Sequence, residues 1–116
     1  MPARYFDAMP LYQDEQKSVA LIELNGVNDV VKNLGSTTTY EVIAGHGQFA
    51  VRHNDSQPRH IIQVCAGSVL RISPGTEYQD RGDLTMIATS EPPFDQSKTK
   101  IIQESETLSP LFSAIL

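Results

Sequence analysis

Between Ser18 and Thr89 the chain alternates apolar and polar side chains with a period of two, in short runs broken by turn-forming residues. "SVALIEL" (18–24) ends at Asn25-Gly26, a dipeptide suited to tight turns. "DVVKNL" (29–34) runs to Gly35, and "TTTYEVIAG" (37–45) is dense in β-branched and aromatic residues until Gly45-His46-Gly47. "QFAVRH" (48–53) leads into the loop formers "NDSQP", and "RHIIQVCAG" (59–67), "SVLRIS" (68–73), "TEYQD" (76–80) and "LTMIATS" (84–90) follow. The pattern predicts eight short strands. With no helical period between them it excludes βαβ units and points to an all-β sandwich or barrel.

The two ends differ from this middle. Residues 1–17 contain "YFDAMPLY", apolar enough to lie on the barrel. The tail, residues 96–116, carries one β-like run (99–103) and then "SPLFSAIL". That segment predicts a short C-terminal helix with Ser109 as N-cap and Pro110 at its first position. Its apolar end is expected to dock on its own barrel or on a partner's. Exposed sheet edges also need cover, so a homodimer is expected.

Composition narrows the classes. The 116 residues suit one domain, 1–116, able to bury roughly two thirds of its unfolded surface. The net charge of −5 and the lack of any Lys/Arg cluster argue against nucleic acid as a partner. No stretch approaches the ~20 apolar residues that cross a bilayer, and "MPARYFDAMPLYQDEQ" has no apolar leader core, so a cytoplasmic protein with no membrane partner is expected. Cys65, the only cysteine, excludes an internal disulfide and a CxxC motif. Within "HIIQVCAG" it is expected to be a buried, inert thiol. No Gly-x-Ser-x-Gly elbow supports hydrolysis by a serine nucleophile.

Two stretches resemble the cupin family of double-stranded β-helix, or jelly-roll, barrels. "TTTYEVIAGHGQFAV" (37–51) is similar to the family's strand–glycine-turn–strand hairpin. "AGSVLRISPGTEYQDRG" (66–82) is similar to its second motif, a glycine, five residues and a Pro-Gly turn before a ligand strand. "LTMIATSEPPFD" looks like the exit strand of small cupins, so the match is strongest over 36–95. The resemblance implies a jelly-roll barrel with a lumen. Gly45 and Gly47 supply the positive φ of a tight hairpin, and Pro74-Gly75 supplies a type II turn.

Catalytic cupins hold a metal through His-x-His and Glu on one strand and a further His on the second motif. Counting back from Gly45, the resemblance places the glutamate at Thr38 and the histidines near Lys32 and Leu34, or near Val31 and Asn33 after a one-residue bulge. The second-motif histidine corresponds to Tyr78, and the asparagine that often follows corresponds to Gly82. None of these is the family's ligand, so no metal and no other cofactor is expected. His46 reads as a loop residue and His53 as an exposed strand end, whereas His60 alternates with Ile62 and Val64 and is expected to face inward.

In the family's register Thr38, Tyr40 and Val42 point into the barrel with Tyr78 and Asp80, and Glu41 and Ile43 point away. The candidate ligand-binding set is therefore Thr38, Tyr40, Tyr78, Asp80 and His60. Phenols, a hydroxyl and one carboxylate suit a small polar ligand of the sugar or organic acid class, held by hydrogen bonds and stacking. Two alternatives stay open. One is a metal-independent sugar isomerase or epimerase using Tyr78 with a nearby histidine. The other is a structural dimeric barrel whose tyrosines bond each other and fill the lumen.

Overall fold

The computed structural model describes residues 5–54 and 56–103. Its strands are β1 (Tyr5–Gln13), β2 (Ser18–Val27), β3 (Val30–Asn33), β4 (Thr37–Arg52), β5 (His60–Cys65), β6 (Val69–Ile72), β7 (Glu77–Glu91) and β8 (Thr99–Gln103). They pair antiparallel in one curled sheet, and the only helical element among the described residues is one 3₁₀ turn, Gln96–Lys98. The all-β jelly-roll expectation holds. The helix expected at Ser109 lies outside the described residues, and no helix among those described is long and apolar enough to cross a membrane.

Three expected turns are instead interior positions of long strands. β4 runs through Gly45-His46-Gly47, β7 runs through Arg81-Gly82-Asp83, and β2 runs through Asn25-Gly26. Gly26, Gly82 and Gly47 are mutual partners on β2, β7 and β4, so one glycine row crosses three adjacent strands. Gly82 has φ +125°, and a Cβ there would stand 2.6 Å from both Gly47 Cα and the His46 carbonyl oxygen. Gly45 has φ +88°, and a Cβ there would strike the Asp83 carbonyl oxygen. A register shift between Val42 and Ala44 adds a bulge beside it. Gly45 provides positive φ as expected and Gly47 does not, and the two bend a continuous strand rather than reverse it.

The bend divides the sheet into two leaves that share β4 and β7. The first leaf holds β1, β2 and β6 with residues 37–44 of β4 and 83–91 of β7. The second holds β3, β5 and β8 with residues 47–52 of β4 and 77–81 of β7. One core cluster joins them: Ile22, Leu24, Met86 and Leu84 come from the first leaf, Phe49 and Val64 from the second. Alternation places Thr38, Tyr40 and Val42 inside and leaves Glu41 and Ile43 exposed, as expected.

The segment "YFDAMPLY" lies on the barrel as edge strand β1, paired to β2, yet its side chains from Phe6 to Gln13 are exposed. Cys65 is exposed, not buried. It ends β5 in register with His46, on the face that alternates with inward Val64. An apolar run does not bury a side chain whose strand parity points outward.

Candidate functional site

Two in-register rows face each other across the lumen. On the first leaf Ala20, Ala88, Tyr40 and Leu70 are consecutive neighbours on β2, β7, β4 and β6. On the second, Val31, Tyr78, Val51 and His60 are neighbours on β3, β7, β4 and β5. The phenols of Tyr40 and Tyr78 meet between them at 2.8 Å, and either hydroxyl can donate. This bond ties the leaves together.

Phe49 completes an aromatic floor. Its ring stacks on Tyr78 at 6.4 Å between centroids and lies tilted against Tyr40 at 5.3 Å. The two tyrosine rings meet edge to face at 6.0 Å. Asp80 is the cross-strand partner of Phe49 and shares the inward face with Tyr78. Its carboxyl is buried, and the Asn28 side chain hydrogen-bonds to it. Burial raises its pKa from 3.8 to about 6, against the lowering effect of the Asn28 bond. Burial likewise pushes the Tyr78 phenol up to about 12, and Tyr40 is raised well above its ordinary value by burial and by the charges of Tyr78 and Asp80. Both phenols therefore keep their protons, while the carboxyl can exchange its own near neutrality.

Toward the strand ends the lumen wall becomes hydroxylic. Thr38 and Ser90 share a hydrogen bond at 3.0 Å, and Ser18 is the cross-strand partner of Ser90. Ser18 Oγ accepts from the Phe94 amide at 2.8 Å, and Ser36 Oγ donates to the Pro92 carbonyl at 2.8 Å, which ties the segment 92–94 to β2 and to the start of β4. The inward residues Ala20, Val31, Val51, Ile62 and Leu70 are only half-buried, so the cup is less closed here than at the bend.

Of the candidate set, the structure brings together Tyr40 and Tyr78, sets Asp80 one inward position along β7 from Tyr78, and seats Thr38 one inward position along β4 from Tyr40. His60 does not join them. It is exposed at the start of β5, with Val51 between it and Tyr78. His53 is exposed as expected, and its Nδ1 bonds Thr76 Oγ1 at 3.2 Å. His46 lies exposed within β4 rather than in a loop. Phe49, Asn28 and Ser90 belong to the site and escaped the sequence reading. Alternation from Leu84 to Ala88 would have placed Ser90 inward, but nothing local marks Asn28 as a partner of Asp80.

The donor set does not fit the metal that cupin barrels often hold. Tyr78, at the second-motif position, is a protonated phenol bonded to Tyr40, and Thr38 is committed to Ser90. Asp80 is one carboxylate, and among the described residues no three His, Cys, Asp or Glu side chains converge.

Two shallow grooves of about 290 Å³ lie outside the lumen, both at the bend and both lined by Arg81, Gly82 and Asp83. Neither reaches the tyrosine pair.

The architecture is that of known cupin-type barrels. The chain is similar to Pac13, described as a unique nucleoside dehydratase, with a TM-score of 0.77 and 22% identity over 94% of this chain and 92% of that one. It is similar to a tyrosine-to-phenylalanine variant of Streptomyces PAC13 with uridine, with a TM-score of 0.72 and 17% identity over 95% and 99% of the two chains. An RmlC-like cupin from Desulfovibrio desulfuricans gives a TM-score of 0.62 and 20% identity over 77% and 84%. No family model matches the sequence, and no curated protein matches it. The chain thus has the cupin double-stranded β-helix fold.

Proposed function

We propose that this chain is a cytoplasmic, metal-independent cupin-type module that binds a small hydroxylated ligand of the sugar class between its two leaves. The observation that carries the reading is the Tyr40–Tyr78 hydroxyl pair beside the buried Asp80 carboxyl, facing the half-closed end of the lumen. On the β7 side of Tyr40 the row continues through Ala88 to Ala20 and leaves little side-chain bulk there, whereas Thr38 and Ser90 offer hydroxyls on the next inward position. A ligand hydroxyl can replace one half of the Tyr–Tyr bond at little net cost, because a protein–protein hydrogen bond is exchanged for a protein–ligand one. Asp80 disfavours the organic acid class, because an anionic ligand would stand near a second carboxylate. The free, exposed thiol of Cys65 suits a reducing compartment.

A second reading follows from the same carboxyl. With a pKa of about 6, Asp80 is poised to take or give a proton near neutral pH, and the high-pKa phenols serve as donors to a developing oxyanion. An acid–base isomerisation or dehydration would then use Asp80 rather than a histidine. The uridine complexes of the PAC13 variants make nucleosides a natural first probe.

A thermal-shift screen of free sugars, nucleosides and organic acids tests the proposal. Binding at a hundredfold excess over the dissociation constant stabilises by about 2.7 kcal/mol, which moves the melting temperature by about 10 °C or more. A sugar or nucleoside should give that shift, and Tyr78→Phe should weaken it about tenfold. If only organic acids act, or no compound acts and Tyr78→Phe loses stability alone, the tyrosine pair is a structural tie and the binding reading falls.

A further inference from the structure

The connection from β2 to β3 follows one edge of β7 throughout. Val27 ends β2 opposite Arg81, and Val31 on β3 stands opposite Tyr78. Three residues, Asn28, Asp29 and Val30, therefore face two, Gln79 and Asp80, which is a β-bulge with one extra residue. Asn28 keeps the inward parity of Leu24 and Gly26, so its side chain reaches the lumen beside Asp80.

Asn28 is held at each of its polar groups. Its backbone amide donates to the Asp80 carbonyl at 2.9 Å, and its own carbonyl accepts from Gln79 Nε2 at 2.8 Å. Its side-chain Oδ1 accepts from the Asp29 amide at 2.8 Å. That bond fixes which way the amide faces, so Nδ2, its only donor, turns to the Asp80 carboxyl.

We infer that Asn28 is the positioning residue of the Asp80 carboxyl, and that Gln79 holds Asn28 in place from the outer side of the sheet. The inference rests on the reading of Asp80 as the group that exchanges a proton with the ligand. The carboxyl takes the Asn28 bond and one from its own backbone amide, which fixes its plane and leaves lone pairs for a ligand proton. Asparagine suits the place because it carries an acceptor and a donor together without charge. Gln79 is fully buried with Ala50 as its cross-strand partner, so packing orients its amide and bulk water cannot replace it. The other titratable groups that face Asp80 are Asp29 on the same connection and the phenols of Tyr78 and Tyr40, while Phe49, opposite on β4, is uncharged. Asp29 disfavours the carboxylate and Asn28 favours it, so two residues of one bulge act on Asp80 with opposite sign.

NMR of the aspartate carboxyl carbons in the ligand-free full chain, assigned with Asp80→Asn, tests the inference, with circular dichroism to confirm that each variant is folded. The native midpoint, expected near pH 6, is the reference. Asn28→Ala removes a donor that favours the charged form and should raise the midpoint by about one pH unit or more. Asn28→Asp, of the same size, should raise it further, because a second carboxylate replaces the donor. Gln79→Leu should raise it by a smaller amount, although its side chain points away from the lumen, and Asp29→Asn should lower it. A midpoint that stays in place in the folded Asn28 variants or in Gln79→Leu overturns the inference. So does a rise in Asp29→Asn, which would assign every shift to general loosening of the bulge. A ligand screen without hits removes the acid–base reading of Asp80 and leaves this titration unchanged, so the two failures are distinguishable.

Discussion

The two leaves treat their outward faces in opposite ways. On the second leaf polar side chains are buried there. Glu77 is 5% exposed between Lys32 and Arg52, its in-register neighbours on β3 and β4. Arg52 Nη2 approaches Glu77 Oε2 at 2.9 Å and Lys32 Nζ lies 3.8 Å from Oε1. Gln79, fully buried, donates to the Asn28 carbonyl at 2.8 Å, beside the small cluster of Val30 and Ala50 with Val27 and Ile61. On the first leaf the outward face instead leaves large apolar side chains open, among them Met9, Tyr12, Ile43 and Val69. Side-chain polarity therefore does not report burial in this barrel. What reports it is whether neighbouring strands supply partners.

The most damaging way to break the relation between the leaves is to deny the bend that joins them. Gly82→Val puts a branched side chain at φ +125° against the backbone of Gly47 and His46, and should cost roughly 3–5 kcal/mol or prevent folding. Gly67→Ala is the control. Its φ is +96° but no atom lies within 4 Å of a Cβ there, so only backbone strain remains, about 1 kcal/mol. Urea denaturation of the two should separate them. Similar losses would mean that the crossing glycine row is not a close-packed hinge.

The contrast between faces sharpens with paired carboxylates. Glu77→Ala removes the buried carboxylate that Arg52 and Lys32 both meet and should cost about 3 kcal/mol in the same assay. Glu41→Ala, at an exposed site on the first leaf, should stay within about 0.5 kcal/mol. Equal costs would erase the difference between the leaves.

Between the faces, the lumen titrates. Folded protein holds the Asp80 proton up to pH about 6, whereas the unfolded chain releases it near 3.8. The folded state binds more protons inside that window, so this group's contribution to stability is full below pH 3.8 and is lost as pH rises through 6. The loss is on the order of 3 kcal/mol for about two pKa units. Asp80→Asn should flatten this part of a stability-versus-pH curve, and a variant that keeps the slope would assign it to another group.

Apart from the two controls, the smallest expected effect is at the tie between the leaves. Tyr78→Phe strands the buried Tyr40 hydroxyl and should cost about 1–2 kcal/mol, while adding Tyr40→Phe should recover part of the loss. Additive losses would show that the two hydroxyls are not coupled.

Much of the barrel was legible in the sequence because alternation is a local property. The period of two sets Thr38, Tyr40 and Val42 on one face and Tyr78 and Asp80 on one face, each from its own strand, and the cupin resemblance implied that these faces turn inward. His60 shows the limit of that rule. Its parity is right, but it stands at the end of an edge strand where no opposing leaf covers it. Cys65 misled through its apolar neighbours, although its parity with Val64 already pointed outward.

By itself, then, the sequence determined that this chain forms strands, which side chains share a face, and where glycine permits positive φ. Only the tertiary structure decided whether Gly26, Gly47 and Gly82 end strands or bend them. The positive φ of Gly26 and Gly82 serves a hairpin or a hinge, and what selects the hinge is that these two fall in one row with Gly47 across β2, β7 and β4, a relation between residues as much as 56 positions apart that no local pattern carries.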